Sequence, residues 1–389
     1  MRRTWLTLGL VALAAGADAE TVLRATYLRL EDARPPVLSN LDPVPDDEGI
    51  AGAELARVDN ATTGRFLGHD YLLDVVSLPP GSDPAPAARE ALAATPFLIL
   101  DADARAVTAV ADLPEARGAL IFSVAAPEES LRDADCRANV LHTGLSHSMR
   151  SDALMQALLS KRWTRLALVT GPHPVDLAWS DALRASAAKF GLAIVGEKPW
   201  SEKADLRRTA SAEIPLFTQD LPEHDVLLVA DETDDFARYL AYNTWLPRPV
   251  AGSEGIVAQG WAPVVEQWGA AQLQNRFEEL AHRPMRPRDY AAWAALRTLG
   301  EALTRTGSAD PAVLRAFILS DAFELAAFKG RPLSYRRWNG QMRQPVPVVH
   351  PRALVAEAPL EGFLHEHNEL DTLGLDAPES ACRVFGETP

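Results

Sequence analysis

Short apolar runs recur along the chain, each bounded by polar turns. They read YLLDVVSL (71–78), FLIL (97–100), ALIFS (119–123), RLALVT (165–170), AIVGE (193–197) and DVLLVAD (225–231). Runs of roughly four to eight such residues predict strands. Between several of them the apolar period lengthens. Ala51, Leu55 and Val58 recur at i, i+4 and i+7 and predict a helix, with Asp46 and Asp47 upstream as caps. Leu154, Ala157 and Leu158 predict another, with Ser146 and Ser148 placed to cap it. Leu273, Phe277 and Leu280 form one later stripe, and Ala292, Leu296, Leu299 and Leu303 a second. Strand and helix in alternation predict an α/β fold with parallel sheets covered on both faces.

The alternation falls into two blocks, from about residue 22 to 140 and from 142 to about 252. The helices of 263–318 bring no strands of their own and need a sheet to cover; the first block is the natural one. From residue 332 onward, LSYRRWNGQMRQPVPVV reads as two extended runs around Asn339-Gly340, a hairpin signal. Segment 362–380 is polar and loop-like. The Pro-rich pieces at 34–45 and 79–86 read as loops.

The first residues differ in kind. Arg2 and Arg3 precede an apolar run, Trp5 to Ala15, too short to span a bilayer, and Ala17-Asp18-Ala19 follows. This is the pattern of a secretory leader, cleaved after Ala19, and it predicts a secreted chain. A buried N-terminal strand or helix is the other reading.

The compartment matters for Cys136 and Cys382, the two cysteines of the chain. Disulfides persist in secreted proteins, and two cysteines allow one bridge. Closing so long a loop contributes about 4–5 kcal/mol in the loop-entropy model, less any strain. Two free thiols are the alternative. Neither cysteine has the close neighbours of a metal site. The net charge of −15 argues against nucleic acid or an anionic membrane as partner. Phosphate-loop, nucleophile-elbow, zinc-helix and dinucleotide signatures are missing, which lowers the prior for catalysis. His365 and His367 could bind a metal from an extended segment or sit in a solvated loop. Asp46, Asp47 and Glu48 could hold a hard cation or favour a helix start.

Three local patterns resemble a known family. IFSVAAPEESLR (121–132) is similar to its pattern I-S-x-A-A-T-x-P-E-L, RANVLHTGLSHSMRSDAL (137–154) to F-R-T-x-x-S-D-x-x-Q-G, and PVAGSEGI (249–256) to its G-x-E-G turn. The family is the type I periplasmic substrate-binding proteins of ABC importers, of the leucine-binding group. Longer runs resemble one subfamily, associated with pyrroloquinoline-quinone-dependent alcohol dehydrogenase systems. They are DNATTGRFLG (59–68), DADCRANVLHT (133–143), WGAAQLQNRFE (268–278), AAFKGRPLSYRRWNGQMRQP (326–345) and GFLHEHNELDTLG (362–374).

The resemblance implies two lobes, each a doubly wound, mostly parallel sheet flanked by helices, with a ligand in the cleft between them. Lobe one is expected to span 20–141 plus 253–320, and lobe two 142–252 plus 321–350. Residues 351–389 form a tail tied back by the Cys136–Cys382 bridge, either a hinge-side staple or a purely stabilising one. Cleft polarity in such folds comes from loops at strand C-terminal ends. The candidate ligand-binding residues are therefore Asp101, Ser123, Ala125, Thr143, Ser146, His147, Asp231, Glu232 and Glu254. Glu254 matches the acidic residue that pairs with the ammonium group in the family's amino acid binders.

Other positions depart from that pattern. The family's hydroxyl-rich loop is here DADAR (101–105), and Pro127 replaces the threonine of A-A-T. A standard branched-chain amino acid ligand therefore fits poorly. Asp101, Asp231, Glu232 and Glu254 gathered in one cleft would suit a cation; alternatively, two or more face solvent. A quinone tricarboxylate would need cleft cations, for which Arg29, Arg65 and Arg150 are available. Trp245, Trp261 and Trp268 could stack a ligand or belong to a core. The reading is a non-enzymatic binding protein with no cofactor and no bound metal of its own. Its partners are a small ligand and an ABC transporter's membrane subunits, with a periplasmic quinoprotein dehydrogenase as a further partner. An accessory or sensor role beside that dehydrogenase, without transport, is the alternative; a metal enzyme built on His365 and His367 is a third.

Overall fold

The computed structural model describes residues 21–33, 43–201 and 206–386. The expected leader, with its cleavage point after Ala19, lies outside the described residues, as does most of the 34–45 loop.

The first layer alternates strands and helices. In order they are β1 (Thr21–Leu30), α1 (Ile50–Leu67), β2 (His69–Leu78), α2 (Ala85–Ala94), β3 (Phe97–Asp101), α3 (Ala104–Ala111), β4 (Leu120–Ser123) and β5 (Val140–His142). The strands form one parallel sheet ordered β2-β1-β3-β4-β5. The second layer follows with α4 (His147–Ser160), β6 (Arg165–Thr170), α5 (Pro174–Lys189), β7 (Ala193–Pro199), α6 (Leu206–Thr218), β8 (Val226–Ala230), α7 (Ala237–Leu240) and β9 (Val250–Gly252). Its parallel sheet is ordered β7-β6-β8-β9. The expected doubly wound α/β architecture is present twice. The apolar runs are continuous rather than alternating because both faces of each sheet are covered.

The helices α8 (Ala270–Ala281), α9 (Pro287–Thr306) and α10 (Pro311–Ile318) cover the first sheet, as their stripes require. Leu273, Phe277, Leu296, Leu299 and Leu303 share a core with Leu23, Tyr27, Ile99 and Phe122. The opposite face of that sheet packs on α2 and α3 through Leu98, Leu100, Val107 and Val110.

The α1 start differs from expectation. Neither Asp46 nor Asp47 caps it by its side chain; the cap position is Gly49, and Asp47 pairs with Arg283 at 2.8 Å. Gly49 is required there: its φ is +80°, and a Cβ would come within 2.0 Å of the Tyr27 hydroxyl. Val58 is partly exposed, because α1 buries the face carrying Ala53, Leu55, Ala56 and Asn60.

The chain passes between layers at Leu141–Leu145, again after β10 (Val257–Ala258), and again after the hairpin β11 (Ser334–Tyr335) and β12 (Met342–Arg343). Gly340 sits at the hairpin turn with φ +70°, as Asn339-Gly340 predicted. Residues 321–350, read from sequence with the second lobe, divide. Phe323, Leu325, Leu333, Tyr335 and Met342 join the first layer's core. β13 (Val346–His350) pairs with β10 and with β14 (Ala353–Ala358), and Val346 and Val348 pack in the second layer. Cys136 and Cys382 form a disulfide with Cα atoms 5.7 Å apart. Among the described residues no helix is long and apolar enough to cross a membrane.

Candidate functional site

The C-terminal ends of the parallel strands carry two polar clusters, one on each layer. Regular strand backbone ends there, so backbone groups and side chains beyond it are free to turn toward a ligand.

On the first layer, Asp101 ends β3 and is buried. Its Oδ2 accepts the Tyr27 hydroxyl at 2.8 Å, and its Oδ1 lies 3.3 Å from Arg288 Nη1. Arg288 also pairs with Asp32 at 3.1 Å. Burial pushes the Asp101 carboxyl up, and Arg288 and Tyr27 only partly offset it. Burial likewise raises Glu48, opposed in part by Arg288 and by Arg286, which lies 4.0 Å away. Arg29, at the end of β1, donates to the Asp46 carbonyl at 2.6 Å and keeps its Nε unpartnered. Ser123 ends β4 fully buried with its hydroxyl unpartnered, and Ala125 is half-buried.

On the second layer, Glu232 follows β8 and receives Arg150 through two bonds, 2.7 and 3.2 Å, and the Ser253 hydroxyl at 2.7 Å. Burial opposes the charge on Glu232, but Arg150 and Ser253 together hold its carboxyl below the ordinary range. The Arg150 guanidinium lies 4.3 Å over the Trp179 ring, a cation–π contact. His147, on the first turn of α4, packs 5.7 Å from the same ring. Burial and the neighbouring Arg150 lower its pKa to about 4, so the imidazole is neutral at pH 7.

The remaining candidates have structural partners. Ser146 caps α4, accepting the Met149 N–H at 3.2 Å. Thr143 lies in the first passage between layers and donates to the Ala291 carbonyl at 2.8 Å. Asp231 accepts the N–H groups of Asp235, Phe236 and Ala237 at 2.7–3.0 Å, closing the turn into α7. Glu254 is half-exposed and accepts the Gly255 N–H at 3.0 Å.

These partners bear on the cation expectation. Asp101 and Glu232 each face an arginine, Asp231 is saturated by N–H donors, and Asp101 belongs to the other layer. Among the described residues, no group of three or more His, Cys, Asp or Glu is placed to hold a metal ion. His365 pairs with Asp376 at 3.3 Å, while His367 is 82% exposed. Of the three tryptophans, Trp261 is core, stacked 4.8 Å from Tyr290, whereas Trp245 and Trp268 are about 60% exposed. Arg65 is exposed on the last turn of α1.

Sequence reasoning missed Tyr27, Trp179, Arg288 and Ser253. Arg150, which the sequence offered only as an available cation, sits one turn beyond His147 on the capped α4. A surface cavity of about 370 Å³, lined by Thr95, Glu115, Arg117 and Pro311, lies at the opposite, N-terminal edge of the first sheet, away from both clusters.

No protein-family model matches the sequence, and no curated protein sequence matches it. Solved structures do. A branched-chain amino acid ABC transporter periplasmic ligand-binding protein from Burkholderia xenovorans superposes with a TM-score of 0.71 at 14% identity, covering 94% of this chain and 100% of that one. A leucine-, isoleucine-, valine-, threonine- and alanine-binding protein from Brucella ovis, in a closed conformation, gives 0.65 at 15% identity, covering 85% and 90%. A solute-binding protein from R. palustris in complex with benzoate gives 0.60 at 14% identity, covering 94% and 99%. The chain therefore has the type I periplasmic binding protein fold, along nearly the whole length of proteins that share it.

Proposed function

We propose that the protein is a periplasmic solute-binding protein. It captures a small ligand between the two layers and delivers it to the membrane subunits of an ABC transporter linked to quinoprotein alcohol oxidation. The observation that carries this reading is the pair of polar clusters at the C-terminal strand ends of two sheets joined by short passages. Folds of this kind close on ligand by hinge motion. Proteins of this fold include a branched-chain amino acid transporter's ligand-binding protein and a solute-binding protein in complex with benzoate, which supports a small organic ligand. The balance of charge in the clusters supports one with hydrogen-bonding groups rather than a bare metal ion. Arg150, Glu232, Ser253 and His147 would contact it from one side, and Arg288, Asp101 and Ser123 from the other.

The test is thermal melting of the protein against branched-chain amino acids, short alcohols, aldehydes and acids, pyrroloquinoline quinone, Ca²⁺ and lanthanide ions. A ligand at about 100 times its Kd adds roughly 2.7 kcal/mol and raises Tm by a few degrees. An organic member of the panel should shift Tm and the metal ions should not. No shift from any organic member overturns the reading, and a shift from a metal ion alone overturns the ligand class.

A further inference from the structure

We propose that residues 360–382 form a covalently anchored strap that bonds both lobes and sets their resting angle, so that releasing it widens the hinge motion. The proposal rests on the two-lobed reading above.

The strap has three attachments. The first is to the second layer. Asp152 of α4, buried, accepts the Gly374 N–H at 2.8 Å, and Lys189 of α5 bridges Asp152 at 2.8 Å to the Gly374 carbonyl at 3.2 Å. Gln156 of α4 accepts the Leu360 N–H at 3.1 Å, and Phe363 packs 5.8 Å from Phe190. The approach is close: Gly374 has φ +86°, and a Cβ there would lie 2.8 Å from Met149.

The second attachment is to the β11–β12 hairpin, beside the last passage between layers. Asp371 accepts Arg336 at 3.0 Å and Arg343 at 2.7 Å, and Arg336 also donates to the Leu370 and Leu375 carbonyls, each at 3.2 Å. The third is to the first layer. Cys382 is bonded to Cys136, and the Ser380 hydroxyl donates to the Arg132 carbonyl at 2.8 Å.

A tail that only stabilised its own lobe would bond to one of them. This one alternates between the two: Gln156 holds its start, a buried carboxylate holds Gly374 within it, and a covalent bond holds its far end. Between Gly374 and Cys382 the chain is gathered into a turn, with the Glu379 and Ser380 N–H groups on the Asp376 carbonyl at 3.0 and 3.1 Å. Fully extended, eight residues reach about 26–29 Å. Length therefore does not stop the lobes from parting. Resistance comes from opening the turn and from breaking the Gly374 bonds to Asp152 and Lys189, the first of which takes an N–H donor away from a buried carboxylate.

The test uses the ligand-free full chain. Spin labels on non-canonical residues replacing Arg105 of α3 and Leu177 of α5, both exposed, report the distance between lobes. The distribution is measured in the oxidised protein, in the protein reduced by a water-soluble phosphine, in Cys136→Ser/Cys382→Ser and in Lys189→Met. Hydrogen exchange at Gly374 reports whether the strap has let go. The expected result is a broader, longer distribution wherever Gly374 exchanges faster. An unchanged distribution with Gly374 released overturns the proposal. So does an unchanged Gly374 on loss of the disulfide together with an unchanged distribution, since the covalent anchor then restrains nothing. Reduction of the folded protein supplies the result if the double variant does not fold. The distance needs no ligand, so its outcome is independent of the melting panel.

Discussion

At the scale of single residues, burial decides which charges the fold can hold. The Arg150–Glu232 pair is partly buried, with side chains 18% and 20% exposed. Glu232→Gln leaves the Arg150 charge without its counter-ion on the Trp179 face. The expected loss is about 1–3 kcal/mol at pH 7, read by urea unfolding, below the range for fully buried pairs because water reaches this one. Lys329 is the converse case. It is buried, donates to Gln344 at 2.6 Å and to the Pro345 carbonyl at 3.0 Å, and lies 4.5 Å over the Tyr290 ring. The ring and Glu357 favour its charge, but burial dominates and lowers its pKa to about 7 from 10.5. A neutral amine still has the two N–H groups those bonds need. Because the folded pKa is the lower one, the folded state is penalised fully below pH 7, and the penalty lifts as pH rises from 7 to 10.5. Wild-type stability should therefore rise relative to Lys329→Met across that window in urea unfolding series. Parallel pH profiles would refute it.

At the scale of elements, α9 shows how a helix of ordinary composition becomes indispensable. Its stripe of Ala292, Leu296, Leu299 and Leu303 was plain in the sequence. The partner was not: α9 lies along α1, where Asn60 donates to the Leu296 carbonyl at 2.9 Å. With Leu299 fully buried, Leu299→Ala should cost about 2–5 kcal/mol in urea unfolding, through lost transfer energy and the cavity left behind. Strand positions were legible as runs and Ser146 as a cap, because both depend on neighbours a few residues away. The partners of Asp101 and Asp231 were not. Arg288 meets Asp101 from a helix 187 residues further along, and Asp231 is satisfied by N–H groups that return only after Asp234 adopts φ +58°.

At the scale of the whole molecule, the disulfide closes a loop of 246 residues between the middle and the end of the chain. Its removal should lower stability by about 2–5 kcal/mol, less if the unfolded chain keeps residual structure. Melting of the reduced protein, with helix content checked beforehand, measures this. The two-layer architecture also explains why the candidate ligand residues resisted assignment. A site between two sheets takes its groups from strand ends far apart in sequence, and no local pattern says which of them have already been used by the fold.

The sequence by itself determined the α/β alternation, the two blocks, the helices that cover the first sheet, the Asn339-Gly340 hairpin and the possibility of a single bridge. Each follows from local periodicity, turn chemistry or cysteine count. The tertiary structure alone decided that residues 321–350 divide between the layers and that the bridge forms. It also decided that the acidic candidates are matched by Arg150, Arg288 and backbone N–H groups. Those outcomes depend on which charges and donors meet in space, and burial sets the cost of leaving any of them unpaired.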